Sequence, residues 1–419
     1  MRRFLFGIGA GLTAGYALYR LTEAIVALRR PGAPVAKDAA RYGRIRRNLE
    51  VANGLRSIAT AAALSAGGFG TLLQRLTEPL PIALRPAVLA VAGMLADTIF
   101  ELPAAFVEDY EIERRFTLSD QHPAAWLNDH VKALAVSSVV MAAVSIPFTA
   151  LLRRKPNAWP FFATLALLPF FVLMGLIVPV YIAPLFNRFE PLIGPLEERL
   201  RRLAARYNVG DASILRVDMS RQTKKANAFV TGLFRTHRIV VGDTLLQSFS
   251  DDEIEFVVAH ELGHYVAHDS WRLCAFGALI AGTTFWLSNL AMPPAERHSY
   301  DKSDTLYRLY VRTALFSAIL RPVLFAFTRS REWAADRFAI EATRSPAVGC
   351  AAFTRLREQN LAEDEVPAWY ELLFSTHPSL GKRIAALRES ADAVRSEQNG
   401  RMHGAQPPGK VGLTRNIGA

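Results

Sequence analysis

The run VVAHELGHYVAHD (257–269) places three histidines and a glutamate in a segment that is otherwise mostly apolar. Ionisable side chains are costly to bury unless they are paired, hydrogen-bonded or bound to a metal. His260 and His264 are four residues apart, so both imidazoles lie on one face of a helix, with Glu261 beside them. This HExxH pattern is typical of zinc hydrolases, in which the histidines bind Zn²⁺ and the glutamate takes a proton from the attacking water. Gly263 leaves room for another element to approach closely.

A catalytic zinc site of this type needs a third protein ligand and one open position. His268 follows His264 by one turn, but one straight helix cannot wrap three successive turns around a tetrahedral ion. Ser270 stands where the metzincin extension needs a histidine. The better candidate is Glu332 in SREWAAD, because Asp336, one turn later on the same face, suits a carboxylate that orients an imidazole. The predicted cofactor is therefore one Zn²⁺ per chain, and His268 is expected at the C-terminus of the helix.

The segment before the motif contains the signals that begin a helix and a small sheet. Ser250 followed by Asp251-Asp252-Glu253 predicts an N-cap with a capping box, and the helix is expected to run to about His268. In the polar stretch 187–270, PLEERLRRLAARYN has helical periodicity, SILRVDMS and HRIVVGDTL are typical of strands, and VTGLFRT is typical of a turn. REWAADRFAIEAT is expected to continue the last apolar block as a helix.

Seven apolar blocks could cross a membrane, which takes roughly 20 residues. They are 4–28, 58–73, 86–107, 133–152, 159–185, 271–292 and 306–328. The second is short and rich in Ala and Gly, so a buried soluble helix is its alternative, and three prolines in the fifth predict a kink or an early end. The predicted fold is mostly α, a seven-transmembrane-helix bundle with a zincin-like catalytic domain and a small β-hairpin or sheet.

The domain organisation follows from the same blocks. Residues 1–186 form an N-terminal membrane domain with five spans, and residues 187–394 form a catalytic metallopeptidase domain that includes spans six and seven, 271–292 and 306–328. Residues 395–419, rich in Gly, Pro and basic side chains, are expected to be a disordered basic tail. The only cysteines, Cys274 and Cys350, predict neither a disulfide framework nor a cysteine-based zinc site.

The charge distribution favours a membrane over nucleic acid. The net charge is +11, and the basic residues cluster beside the apolar blocks, where they suit anionic lipid headgroups. Residues 29–56 contain eight Lys/Arg and two acids, which predicts that this loop and the catalytic domain lie at the cytoplasmic face. In this orientation the basic residues 153–155 (RRK) lie on the outer side, which disagrees with the positive-inside rule. The Ala- and Arg-rich composition indicates a bacterial chain, and hence the inner membrane.

Six segments between about 40 and 390 resemble one known family. They are ELPAAFVEDYEIERRF, IAPLFNRFEPL, ANAFVTGLFRTHRIVVGDTLL, VVAHELGHYVAHD, RSREWAADRFA and STHPSLGKRI. Together they resemble the CAAX prenyl endopeptidase family of integral-membrane zinc metalloproteases, whose relatives include heat-shock membrane proteases. The resemblance implies that His260, His264 and Glu332 hold the zinc. It also implies that Glu261 is the base and that Asp336 orients a ligand.

The same resemblance extends to three residues that spacing alone does not single out. Asn227, in the NAF segment, resembles an asparagine that holds the substrate backbone beside the metal, and His377 and Arg383 resemble a histidine and an arginine near the site. The implied function is cleavage of membrane-associated or prenylated polypeptides, as in CAAX-box protein processing, with the lipid bilayer as the other partner. Two alternatives stay open: a quality-control metalloprotease of the heat-shock type, and a seven-span transporter or receptor with a structural zinc. An intact Glu261 counts against the latter, because a structural site needs no base.

Overall fold

The computed structural model describes residues 35–66, 69–233 and 236–404, and its first half is helical. The helices of this half are α1 (Val35–Ala66), α2 (Phe69–Thr77), α3 (Arg85–Ala105), α4 (Ile112–Arg115), α5 (Pro123–Arg154) and α6 (Trp159–Ile177). A π-helical turn over Phe106–Glu111 joins α3 to α4, and a second over Val178–Ile182, followed by a 3₁₀ turn over Ala183–Leu185, extends α6. Pro103 and Pro179 lie at these irregular places because proline cannot donate the backbone hydrogen bond of a regular helix. The regular part of the fifth predicted span ends at Ile177, but the irregular turns continue it to Leu185, so the kink or early end predicted from its prolines appears only as a change of helix type.

The second half combines a four-stranded sheet with helices of very different lengths. Its elements are β1 (Phe189–Pro191), α7 (Pro195–Ala205), β2 (Ser213–Val217), β3 (Ala228–Thr231), β4 (Arg238–Gly242), α8 (Asp243–Ser248), α9 (Asp251–Val266), α10 (Asp269–Leu290), α11 (Pro294–Arg297), α12 (Ser303–Thr343), α13 (Pro346–Gln359), α14 (Ala368–Phe374) and α15 (Leu380–Gly404). A 3₁₀ turn over Met219–Arg221 follows β2. The mostly helical fold with a small sheet agrees with the prediction from sequence.

The C-terminal tail differs from the prediction. Helix α15 continues to Gly404, ten residues beyond the expected boundary at 394, and residues 405–419 lie outside the described part of the chain. Residues 395–403 (RSEQNGRMH) contain mainly side chains that tolerate a helix, and extending an existing helix costs far less than nucleating one. The prolines that favour disorder come only at 407 and 408.

Among the described residues, five helices are long and apolar enough to cross a membrane. They are Arg85–Arg115, Pro123–Arg154, Trp159–Leu185, Asp269–Leu290 and Ser303–Thr343, and they correspond to five of the seven predicted spans. The first predicted span, 4–28, lies outside the described residues. The second, 58–73, includes residues 67 and 68, which lie outside the described part of the chain, so it stays a prediction.

The sheet has the strand order β1-β2-β4-β3, so β3 is an edge strand. β2 and β4 are parallel, with Ser213 opposite Arg238, and the outer strands pair antiparallel with them. β2 and β4 are the two strands that the sequence predicts, whereas β1 and β3 contain too few residues for a clear alternation of apolar and polar side chains. The predicted turn begins later than expected, at Gly232, whose φ of +96° favours glycine.

Helix α9 begins at the predicted cap and runs through the core of the catalytic half. The Ser250 side chain accepts a hydrogen bond from the backbone N–H of Glu253, and the Glu253 carboxylate accepts one from the N–H of Ser250. Its apolar residues, including Phe256, Val258 and Leu262, are fully buried among side chains from the sheet, α7, α13 and α15. This burial fixes the face of α9 that carries the histidines.

The two spans after α9 form an antiparallel hairpin. His268 adopts a left-handed conformation (φ +55°) that ends α9, and α10 begins at the next residue. The chain turns through α11 and returns as α12, which packs against both α10 and α9. The hairpin therefore brings the end of α12 back to the helix that carries HExxH.

Gly263 is a point of close contact between α9 and α12. A Cβ at this position would lie 3.1 Å from the Cβ of Phe338 and 3.2 Å from the Cα of Ala335. We expect Gly263→Ala to lower the free energy of unfolding by about 1–3 kcal/mol, because the helices must separate to admit a methyl group. Thermal unfolding and zinc content measure the effect. Gly277→Ala in α10 is the control, since a Cβ there meets nothing within 4 Å, and equal stability of the two variants would contradict the prediction.

Candidate metal centre

Three side chains from two helices converge on one point. His260 and His264 project from α9 and Glu332 from α12, and their potential ligand atoms all lie within 4.8 Å of one another. The Nε2 of His260 lies 3.4 Å from one carboxylate oxygen of Glu332, and the Nε2 of His264 lies 3.3 Å from the other. Atoms bound at about 2.0–2.2 Å to one tetrahedral zinc are roughly 3.4 Å apart, so these distances suit a shared metal.

The surroundings of the cluster also fit a bound cation. Glu332 is buried, and among the described residues its Oε2 makes no hydrogen bond, although Nη1 of Arg383 lies 3.3 Å from it. Burial and the charge of Arg383 lower the pKa of His260, but hydrogen bonds to Asp336 and Glu332 outweigh them and raise it to about 9. The site thus attracts positive charge. Two imidazole nitrogens and one carboxylate oxygen are the donor set of catalytic zinc sites.

His260 is held from behind by Asp336 and Arg383. The Nδ1 of His260 lies 2.9 Å from Oδ1 of Asp336, which is one turn beyond Glu332 on α12. Arg383, from α15, donates from Nε to Oδ2 of Asp336 at 2.9 Å and from Nη2 to Oδ1 at 2.6 Å. Its Nη1 lies 3.3 Å from Glu332. All these groups are buried. Because Nδ1 of His260 contacts Asp336, its Nε2 faces the cluster.

His264 has a partner of the same kind. Its Nδ1 lies 3.0 Å from Oδ2 of Asp269, the first residue of α10, which is only 2% exposed. Arg331, the neighbour of Glu332 in sequence, donates from Nε to Oδ1 of Asp269 at 2.7 Å. Arg272, more exposed, lies 3.7 Å from the same oxygen. Each imidazole of the cluster therefore contacts a buried aspartate that an arginine holds.

A cavity of about 530 Å³ opens beside the cluster. Glu261 lies on its wall, and burial raises the pKa of its carboxyl above the ordinary value, as suits a base that must hold a proton during a reaction. His377 lies on the wall too, with its side chain 61% exposed and its Nε2 3.3 Å from Glu332. The Nδ1 of His377 lies 2.8 Å from the hydroxyl of Thr376.

Asn227 lines the same cavity next to the edge strand β3. Its carbonyl accepts a hydrogen bond from the N–H of Gly242 at 3.0 Å, which fixes the backbone, while its side chain is exposed. Asn360 of the loop after α13 holds the preceding residue, Ala226, because its amide accepts from the Ala226 N–H at 2.8 Å and donates to the Ala226 carbonyl at 3.1 Å. The backbone at this edge of the cavity is therefore anchored from two sides.

The similarity of the chain to known proteins covers both halves. Residues 194–391 match the family model of peptidase family M48, and residues 34–188 match the model described as CAAX prenyl protease N-terminal, five membrane helices. Over 324 residues the chain is 30% identical to CAAX prenyl protease 1 homolog of Oryza sativa subsp. japonica, covering 72% of both proteins. The chain belongs to peptidase family M48.

Two further comparisons agree with membership in family M48. The chain is 29% identical over 309 residues to the uncharacterized metalloprotease YhfN of Bacillus subtilis (strain 168), covering 71% of this chain and 72% of that protein. The crystal structure of S. mikatae Ste24p superposes with a TM-score of 0.73 at 21% identity, covering 92% of this chain and 98% of that one. The second likeness shows a shared fold.

The family assignment confirms several predictions from sequence. The protein is an M48 metalloprotease, and its resemblance to the CAAX prenyl endopeptidases is correct. With five helices able to cross a membrane, it is an integral multi-pass membrane protein that requires a metal and acts on polypeptides. The alternative of a transporter or receptor with a structural zinc is excluded by this assignment.

All eight predicted site residues of this M48 protease lie together. Seven line the cavity and Asp336 contacts His260; the seven are Asn227, His260, Glu261, His264, Glu332, His377 and Arg383. The sequence does not predict Asp269, Arg331 or Asn360. A signal for Asp269 was present, since it closes the run VVAHELGHYVAHD and begins an apolar span, where an acid is costly. Asn360 has no such signal.

Proposed function

We propose that this M48 protease is a zinc-dependent endopeptidase that cleaves membrane-associated or prenylated, CAAX-type polypeptides. The observation that carries the proposal is the cluster of His260, His264 and Glu332 with Glu261 beside it in one cavity. The cluster lies next to two helices that can cross a membrane. One is α10, which begins just after α9, and the other is α12, which carries Glu332. A substrate whose apolar part stays in the bilayer can therefore present its polar end to the cavity.

The residues around the cavity have separate roles in the reaction. His260, His264 and Glu332 would hold a zinc ion, which would supply Lewis acidity for the scissile carbonyl and for the attacking water. Glu261 takes the proton from the attacking water and passes it to the leaving amine. His377 donates a hydrogen bond to the carbonyl oxygen as negative charge develops there.

Two further residues act in binding and positioning. Asn227, exposed beside the edge strand β3, holds the substrate backbone in the cavity. Arg383 binds both oxygens of Asp336 and is only 6% exposed, so we assign it to positioning His260. In this arrangement Arg383 sets metal geometry and does not contact the substrate.

We place the catalytic half at the cytoplasmic face, in a bacterial inner membrane. The basic loop 29–56 is the main topological signal. Two contacts support a common side for this loop and the catalytic half: Arg47 pairs with Glu363, and the Tyr370 hydroxyl donates to Glu50. If the basic residues of loop 29–56 lie on the cytoplasmic side, the catalytic half that contacts this loop lies there as well.

The substrate class is tested with matched peptides in detergent. We expect the purified protein to cleave a farnesylated CAAX-type peptide at least tenfold more efficiently, in kcat/KM, than the same peptide without the lipid, because the lipid adds about 0.8 kcal/mol of burial per CH₂. Cleavage should stop on chelation and return with zinc. Equal cleavage of both peptides, together with cleavage of an unfolded membrane protein, would instead support the quality-control alternative.

A further inference from the structure

Two relays of identical composition, each with a buried aspartate at its centre, lie behind the metal cluster. One runs from Arg383 through Asp336 to His260, and it includes the aspartate that the sequence predicts. The other runs from Arg331 through Asp269 to His264. Asp336 and Asp269 are 5% and 2% exposed, so neither interacts mainly with solvent.

The second relay determines which nitrogen of His264 faces the metal. The Nδ1 lies 3.0 Å from Asp269, while the Nε2 lies 3.3 Å from Glu332 on the side of the cluster. A carboxylate at Nδ1 keeps the proton on that nitrogen and leaves the lone pair of Nε2 free for a metal. Removing the carboxylate releases both the tautomer and the ring orientation.

The relay also joins the two membrane helices of the hairpin. Asp269 is the first residue of α10, and Arg331 directly precedes Glu332 on α12. Their contact of 2.7 Å therefore connects the start of α10 to α12. Removing one partner of a buried ion pair is strongly destabilising, so Arg331 holds Asp269 in place.

We propose that Asp269, held by Arg331, is a positioning residue that orients His264 and thereby sets how tightly the protein retains its metal. The inference rests on the proposed zinc site. It differs from a simple helix-start role, in which an acid in the first turn of α10 stabilises the helix dipole and leaves metal affinity unchanged. Metal affinity is consequently the decisive measurement.

The test measures zinc affinity of the full-length, detergent-purified protein by competition with a chelator. We expect Asp269→Ala to bind zinc about 10–100-fold more weakly than wild type, the range for outer-shell partners of metal ligands. Asp269→Asn should retain part of the affinity, because its amide oxygen still accepts the Nδ1–H hydrogen bond. Arg331→Gln should weaken binding in the same direction.

Arg272→Ala is the matched control, because Arg272 is half exposed and lies 3.7 Å from Asp269, a pair of little energetic weight. Its zinc affinity should equal that of wild type. Thermal unfolding of each variant in excess chelator separates a general loss of stability from a loss of metal affinity, and Asp269→Asn is decisive if Asp269→Ala does not fold.

The possible results distinguish the two proposals. Wild-type protein that binds no stoichiometric zinc would overturn the proposed zinc site itself. Wild-type protein that binds zinc, with Asp269→Ala and Asp269→Asn both within twofold of Arg272→Ala, would overturn the positioning role of Asp269 and leave the proposed function standing.

Discussion

Substitution of Glu261 by glutamine is expected to reduce peptide hydrolysis by about 10²–10⁴-fold, the range for the loss of a positioned general base, and to leave the bound metal in place. Glutamine has nearly the same shape as glutamate but cannot accept the proton of the attacking water. Glu261 lines the cavity and is not one of the three residues whose ligand atoms converge. We therefore expect the activity, but not metal binding, to depend on the carboxylate of Glu261.

Steady-state kinetics and zinc content, measured on the same preparation, test this prediction. The effect should appear in kcat, because the proton is transferred in the transition state and substrate binding does not require it. Glu255→Gln is the control: it makes the same substitution on the same helix, where the carboxylate pairs with Arg199 at 2.6 Å, outside the cavity. A Glu261→Gln variant with activity within tenfold of wild type would show that another group is the base.

Replacement of Glu332 by alanine is expected to remove most of the bound zinc and, with it, all measurable hydrolysis. Glu332 is the one cluster residue from α12, and both of its carboxylate oxygens face the histidines of α9. Loss of a direct ligand should weaken zinc binding by more than about 100-fold, the upper end of what loss of an outer-shell partner costs. The remaining two imidazoles cannot complete a catalytic site.

Elemental analysis after gel filtration, and zinc titration of the same sample, measure the loss. Glu341→Ala is the control, because Glu341 is exposed on the same helix, nine residues further along. That variant should keep one zinc per chain and wild-type activity. Stoichiometric zinc in Glu332→Ala would remove Glu332 from the ligand set and place the third ligand elsewhere in the cavity.

Local patterns account for the parts of the fold that the sequence predicts correctly. The capping box of Ser250 and Glu253 concerns four consecutive residues, and the five apolar helices follow from composition over about 20 residues. The second predicted span, 58–73, stays a prediction, because two of its residues lie outside the described part of the chain. The boundary of the tail fails, since an existing helix extends through residues that would not start one.

The sequence by itself determined that His260 and His264 share one helix face with Glu261 beside them, because the helical period alone places them there. It also determined that Glu332 and Asp336 share a face, and the position of this pair after the last span suggested where they meet the histidines. Only the tertiary structure decided how each histidine is oriented. Arg383 reaches His260 across 123 residues of sequence, and Arg331 reaches Asp269 across 62. Such contacts depend on how distant helices pack against one another, and no local period or composition encodes that packing.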